Sequence, residues 1–320
     1  MKFFSRRLVT DYKLKTPMNP RVSVVIPHFN DLDNLRICLS CLMKQTLSLD
    51  QFEIIVADNN SRSGLDVVRA VVAEITNRKA KVVPAPIQGA AEARNAGVLA
   101  SKAEVLAFTD SDCQPAENWL ENGLKAIEKS NLVGGRIQIV LTNPGSPHPV
   151  EAFESIFAFN NRAYVLKKKF SVTANLFVTR AIFDAVGGFR QGVSEDMDWC
   201  HRAIAAGYSL AYQGDVCVGH LARQTWVELA RKWQRLTRES YYLIRERQFW
   251  HIFWISRSWI VLLSALPHTI VILNSKNLSR LEDRLKAILI LFRLRIYRFL
   301  EAHRLLLFDQ TIESHKFIKS

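Results

Sequence analysis

The sequence predicts an α/β protein: a mostly parallel sheet with helices on both faces, followed by a helical segment that associates with a membrane. Three observations predict it. Short apolar, β-branched runs alternate with amphipathic stretches over the first half of the chain, and continuous apolar strands of this kind are buried on both faces, as in parallel sheets. Acidic residues stand directly after the second and fourth of those runs. The charge is also unevenly placed: the 320 residues carry a net +13, and residues 226–320 alone hold 17 Lys/Arg against 8 Asp/Glu.

Residues 1–20 read as a flexible basic lead-in ending at Pro17 and Pro20. The first strand is expected at 22–27 (VSVVIP), and a helix at 34–45 on the spacing of Leu35, Leu39 and Leu42. A strand at 52–57 (FEIIVA) ends at Asp58, a helix follows over 65–76, and a short strand over 81–83. A helix over 90–100 opens after Gly89, and the strand 104–108 runs into Thr109-Asp110-Ser111-Asp112. After Pro115 a helix at 117–129 leads to an extended stretch at 133–141, a Pro/Gly-rich loop at 143–149, and an aromatic stretch with Phe153, Phe157 and Phe159. A strand at 174–178, a short helix at 181–186 stopped by Gly187-Gly188, a helix at 195–206 and two edge strands at 208–213 and 216–218 complete this part.

From Trp226 onward the pattern is helical and basic. The window 249–273 is the most apolar, but Arg257 and Pro267 interrupt it. The charge-free remainder, 260–273, has 14 residues, short for a spanning helix and better suited to a re-entrant or interfacial one. Residues 285–308 interleave Leu, Ile and Phe with Arg293, Arg295, Arg298 and Arg304, the composition of a helix lying on a charged bilayer. A helical subdomain packed on the preceding part is the other reading of the same residues. Interleaving of arginine with long aliphatic side chains favours a bilayer over nucleic acid as the anionic partner.

Cys38, Cys41, Cys113, Cys200 and Cys217 make an odd count without framework spacing, which points to a reducing compartment. Cys38 and Cys41 form a C-x-x-C inside an amphipathic helix, with no second pair at zinc-site spacing, so they read as small buried apolar residues. The N-terminus lacks the apolar stretch of a signal peptide. The expected location is therefore the cytoplasm, on the inner face of the plasma membrane.

Ligands of a parallel α/β sheet bind beyond the carboxyl ends of its strands. Asp58, Asp110 and Asp112 should therefore face one crevice, and carboxylates gathered there are costly unless a cation arrives. Hard oxygen ligands suit Mg²⁺ or Mn²⁺, held together with a nucleoside diphosphate. Asp110 and Asp112, two apart in an extended segment, address the same side; a capping turn before the next helix is the structural alternative.

The ordered run of motifs resembles the family 2 glycosyltransferases of the GT-A fold. Its members are Pro27-His28-Phe29-Asn30, Val56-Ala57-Asp58-Asn59-Asn60-Ser61, Gly89 to Gly97 (GAAEARNAG), Asp110-Ser111-Asp112, Gly187-Gly188-Phe189 and Glu195-Asp196-Met197-Asp198, spread over residues 21–225. The resemblance implies a metal-dependent, inverting transfer of one sugar from a nucleotide-diphosphate sugar, a UDP-sugar first among them, to a saccharide or lipid-linked acceptor. Pro27 and Asn30 would line the nucleotide pocket, Asp58 bind base or ribose, and Arg94 and Asn95 close over the nucleotide. Arg94 also suits a phosphate oxygen, with a surface ion pair to Glu92 or Asp58 as the plainer alternative. Asp112 would ligate the metal, and Asp110 the ribose or metal-bound water. Asp196 would be the general base, with Glu195 raising its pKa or holding the acceptor and Asp198 secondary. His220 would complete the metal shell or touch the diphosphate, or else be structural.

Arg223-Gln224-Thr225-Trp226 departs from the Gln-x-x-Arg-Trp of processive synthases, which argues for single-sugar transfer. A pyrophosphorylase or an oxidoreductase would place glycines at the first strand end, and Pro27-His28-Phe29-Asn30 has none. The remaining rival is a catalytically silent GT-A domain acting as a membrane-surface module. Its retained carboxylates speak against it.

Overall fold

The computed structural model describes residues 19–245 and 248–308, so the expected lead-in lies, up to residue 18, outside the described residues. The strands are β1 (Val22–His28), β2 (Phe52–Asp58), β3 (Ala80–Pro84), β4 (Val105–Phe108), β5 (Cys113–Pro115), β6 (Leu132–Val140), β7 (Leu176–Thr179) and β8 (Leu210–Leu221). They form one sheet in the order β3-β2-β1-β4-β7-β6-β8-β5. The β3-β2-β1-β4 half is parallel; β7 runs antiparallel to β4 and to β6, and β5 antiparallel to β8, while β6 and β8 are parallel. Chain order reverses between β1 and β4, which opens the crevice of a doubly wound sheet at their carboxyl ends.

Helices cover both faces because β1 turns apolar side chains to each of them. Val22, Val24 and Ile26 pack with Leu35, Leu39 and Leu42 of α1 (Leu32–Leu42) and with Val68 and Val72 of α2 (Leu65–Thr76). Val25 points the other way, into a second core with α3 (Ala90–Leu99) and the aromatic stack of Phe183, Phe189 and Trp199. Each such fully buried side chain is worth about 1.5–3 kcal/mol of transfer from water. On the first face, α4 (Trp119–Ile127) buries Trp119, whose indole N–H donates to Asn175 Oδ1 at 3.0 Å.

Three readings of the sequence need correction. The aromatic stretch before 160 is a helix, α5 (Pro149–Phe157), started by Pro149 and by Glu151, whose Oε2 accepts from the His148 amide at 2.9 Å. It is followed by the one-turn α6 (Asn161–Ala163) and a π-helical turn over Tyr164–Lys168. The two edge strands expected at 208–213 and 216–218 are a single strand, β8 (Leu210–Leu221), whose second half lies between β6 and β5. Its register against β6 jumps from Gly135↔Gln213 to Arg136↔Cys217, a bulge that gave the appearance of an interruption. The apolar window, finally, is not cut short. Trp250–Leu273 runs for 24 residues at mean hydropathy 1.5, long and apolar enough to cross a membrane, with 17% of its apolar stretch buried. Pro267 falls in the first turn of α11 (Ala265–Leu273), where its missing N–H costs little. Arg257 of α10 (Trp250–Leu263) turns inward over the ring of Trp254.

The remaining helices are α7 (Arg180–Val186), α8 (Glu195–Ala205), α9 (Trp226–Arg245) and α12 (Leu281–Phe308). The C-terminal helices are joined to the rest through α5: Val150 and Phe153 share a core with Leu229, Ile272, Leu291 and Leu294. Opposite that core, Ile260, Leu263, Leu266 and Ile270 on α10 and α11 and Leu285, Leu289, Ile296 and Leu300 on α12 are all exposed. Exposed aliphatic side chains recurring along three helices suit a membrane or partner face.

Candidate active site

A cavity of about 680 Å³ opens over the carboxyl ends of β1 and β4. Pro27, His28, Arg94, Asp110, Asp112, Glu195, Asp196 and His220 line it, together with Phe157, Phe159 and, from α9, Lys232, Trp233 and Glu239.

At the end of β1, the parallel register sets His28 beside Asp58. His28 Nε2 accepts from the Asp31 amide at 3.3 Å, so Nδ1 carries the proton and donates to Asp58 Oδ1 at 2.9 Å. Ser61 donates its hydroxyl to the same oxygen at 2.6 Å and its amide to Oδ2 at 3.2 Å. Asp58 is buried behind His28, which holds the wall position. Asn30 adopts φ 56, a left-handed conformation asparagine tolerates, and turns its Oδ1 to the amide of Arg62 at 2.7 Å. Asn95 is taken up by the amide and carbonyl of Phe189, both at 2.9 Å. The side chains of Asn30, Asp58 and Asn95 therefore support the rim, while Pro27 and Arg94 face the cavity.

Arg94 is the junction of the site. Its helix lies close on the sheet because Gly97 has no Cβ, which would stand 2.5 Å from Val25 Cγ1. The buried guanidinium donates to Asp110 Oδ1 at 2.6 Å and to Glu195 Oε1 at 2.9 Å. Neither Glu92 nor Asp58 is its partner. Burial alone would lower its pKa; Asp110 and Glu195 outweigh that and raise it. One cation thus ties the loop after β4 to the start of α8.

Asp112 is placed by β5, whose Cys113 pairs with His220 of β8. His220 Nε2 lies 3.3 Å from Asp112 Oδ2, and its Nδ1 donates to the Leu221 carbonyl at 2.8 Å. With Nδ1 taken by the Leu221 carbonyl, Nε2 is the ring atom left to face Asp112, and a cation bound between them would be held by both. Burial raises the Asp112 pKa against the attraction of His220, and Asp110 adds repulsion. Asp110, Asp112 and Cys113 present ligand atoms within 4.8 Å of one another. Burial pushes the Cys113 thiol well above its usual range, so the two carboxylates and the imidazole are the donors that fit a hard divalent ion.

Across the cavity, Asp196 accepts from the Met197 amide at 2.8 Å and from the Ser194 hydroxyl at 3.1 Å. Burial, with Glu195 adjacent, pushes its pKa up to about 6. Asp198 is turned away, paired with Arg202 at 2.9 Å and Arg190 at 3.7 Å, and is absent from the lining.

Sequence reasoning missed His28, Glu154, Lys232 and Trp233. Glu154 of α5 pairs with Arg223 at 2.9 Å and Lys232 at 3.4 Å; these cations outweigh its burial and lower its pKa. Burial pushes Lys232 down to about 8, and its ammonium lies over the Phe159 ring at 4.8 Å. The helical spacing of Lys232, Leu236 and Glu239 was readable, but the side of the chain they return to was not.

The doubly wound sheet with its crevice carboxylates defines an α/β enzyme of the GT-A type. Residues 23–191 match the family described as "Glycosyl transferase family 2", and the chain belongs to that family. It is 33% identical over 208 residues to glycosyltransferase AglE of Haloferax volcanii, covering 64% of this chain and 68% of that protein. It is 29% identical over 213 residues to the pre-mycofactocin glycosyltransferase of Mycobacterium tuberculosis, covering 64% of this chain but 43% of that protein. Among solved structures, the mannosyltransferase PcManGT from Pyrobaculum calidifontis, in complex with GDP-Man and Mn2+, superposes with TM-score 0.59 at 18% identity, over 91% of this chain and 88% of that one. GalNAc-T7 with UDP, GalNAc and Mn2+ superposes with TM-score 0.51 at 18% identity, over 65% and 45%.

Proposed function

We propose that this glycosyltransferase is metal-dependent and inverting, and transfers one sugar from a nucleotide-diphosphate sugar to an acceptor hydroxyl at the inner face of the plasma membrane. The observation that carries the reading is the meeting, in one cavity, of the Asp110/Asp112/His220 cluster with Asp196, whose pKa burial pushes up to about 6. Asp112 and His220, with Asp110, would hold Mn²⁺ or Mg²⁺, which when bound offsets the charge developing on a departing diphosphate. Pro27 and His28 wall the nucleotide side, and Asp58 and Asn30 brace that wall from behind.

In the step itself, the bond between the anomeric carbon and the diphosphate oxygen breaks while the acceptor oxygen bonds the same carbon from the opposite side. The acceptor proton passes to Asp196, whose raised pKa makes it a competent base near neutrality. Arg94 keeps Glu195 and Asp110 in place on either side. Complexes of the structural neighbours with GDP-Man or UDP and Mn2+ support a nucleotide-sugar donor. The exposed apolar face of α10 to α12 supports the membrane surface, and with it the lipid-linked acceptor.

The test is titration calorimetry of the full chain with UDP, GDP and dTDP, with and without Mn²⁺. One nucleotide should bind tightly and only with Mn²⁺. Asp196→Asn should keep that affinity within a few-fold and lose transfer; loss of nucleotide binding in this variant would contradict the base assignment. Metal-independent binding, or unchanged affinity in Asp112→Ala, would remove the metal from the mechanism.

A further inference from the structure

Behind the cavity, the C-terminal helices hold cations that pair with no carboxylate among the described residues. Arg295 and Arg298 of α12 are each 8% exposed. Among the described residues, no ion pair includes either of them or Arg257. Arg298 lies over the Trp233 ring at 4.0 Å, and Arg257 over the Trp254 ring at 5.3 Å. Arg295 reaches His268 Nδ1 at 3.3 Å, and Arg257 donates to the Ser240 hydroxyl at 3.4 Å. The Nε of Arg295, the Nε of Arg298 and the Thr237 hydroxyl are buried without a hydrogen-bond partner.

These groups share one place. Trp233, Thr237 and Ser240 recur on one face of α9, so the unpartnered Thr237 hydroxyl stands between the residue under Arg298 and the residue bonded to Arg257. The three guanidinium groups repel one another: burial, with Arg295 and Arg257 alongside, pushes Arg298 down to about 9. Ring stacking offsets part of the cost of burying them. The rest is relieved when an anion with several acceptor oxygens enters, and forked guanidinium donors match a phosphoryl group.

We infer that Arg257, Arg295, Arg298 and Thr237 form a binding site for the phosphoryl group of a membrane lipid, and that this lipid carries the acceptor. Its second half rests on the transferase reading above; the anion site does not. Position argues for a lipid over free phosphate. Trp233 joins Arg298 to the catalytic cavity, while the helix bearing Arg257 turns Ile260 and Leu263 outward on the apolar face. Apolar surface, cation cluster and general base therefore follow one another in the order of tail, phosphoryl group and reacting hydroxyl.

The test uses the full chain and flotation with phosphatidylcholine vesicles, with and without phosphatidic acid, in salt high enough to screen the exposed basic residues. Wild type should bind the phosphatidic acid vesicles about tenfold more tightly. Arg295→Gln/Arg298→Gln should lose that preference, keep its binding to plain phosphatidylcholine, and unfold at higher temperature than empty wild type, since buried unpaired charge is removed. Arg298→Lys should keep part of the preference; if the double variant does not fold, Arg298→Gln alone carries the comparison. A double variant that folds and retains the full preference overturns the site. Inorganic phosphate raising the melting temperature of wild type as much as short-chain phosphatidic acid does would overturn the lipid assignment. Absence of Mn²⁺-dependent nucleotide binding in wild type would count against the transferase reading alone, because the vesicle comparison involves no donor.

Discussion

At the scale of single residues, the site depends on charges kept dry and close together. Asp196 has its pKa at about 6 through burial and the adjacent Glu195, so the rate of transfer should rise with pH through about 6. Glu195→Gln removes the like charge and should move that inflection to lower pH; a profile unchanged by this variant would refute the coupling. The same shift has a stability sign. The folded-state pKa lies above the unfolded one, so the contribution of Asp196 is fully present below the unfolded value and lost as pH rises through about 6. Asp196→Asn should therefore melt at a higher temperature than wild type above that pH while being inactive, which thermal scans across pH would show. Arg94 has the opposite balance. Arg94→Met leaves Asp110 and Glu195 facing each other and should cost about 2–3 kcal/mol by denaturant unfolding, less than a wholly buried pair because both carboxylates are partly exposed.

At the scale of elements, short pieces of backbone place the chemistry. The three residues of β5 exist as a strand because β8 supplies their partners, and that pairing brings Asp112 to His220. The bulge that lets β8 pass from Gln213 to Cys217 is held by Asn175, which donates to the Arg136 and Val216 carbonyls at 2.9 Å each. No side chain fits beside it: a Cβ on Gly135 would stand 2.2 Å from the Val216 oxygen and 2.3 Å from Asn175 Nδ2. Gly135→Ala should lower stability by about 3 kcal/mol, at the upper end of overpacking costs since the clash is with backbone. Because β8 carries His220, Mn²⁺-dependent nucleotide affinity should fall with it. Full affinity in a folded Gly135→Ala protein would show that the bulge does not position the site.

At the scale of the whole molecule, the helices after residue 225 have two jobs. Through α5 they complete a core, and through α9 they close the cavity with Lys232, Trp233 and Glu239. Their outer surface is apolar along α10, α11 and the Leu285, Leu289, Ile296 stripe of α12. One face of these helices is a packed subdomain; the other, exposed and apolar, is where the proposed bilayer contact would lie. Replacing Leu289 and Ile296 by Asp should weaken association with phosphatidylcholine vesicles by about tenfold or more, given about 1.5–3 kcal/mol per buried aliphatic side chain. Nucleotide affinity should stay within a few-fold, because neither residue lines the cavity. Equal vesicle binding would move the membrane contact elsewhere.

Local pattern sufficed for much of this. The apolar runs of β1, β2 and β4, the helices between them, and the placing of Asp110 and Asp112 after β4 and Glu195-Asp196 at the start of α8 follow from periodicity and from where a parallel sheet presents its ligands. Long-range pairing decided the rest. No local signal says that a three-residue β5 forms, that two apparent edge strands are one bulged strand, or that Arg94 bonds Asp110 and Glu195. Nor does helical spacing say which way α9 turns. A helix pattern records which faces are apolar, but the neighbour that covers each face is set by the packing of elements far apart in the chain. That packing alone brings Lys232 and Trp233 to the cavity and leaves Arg295 and Arg298 buried without a carboxylate among the described residues.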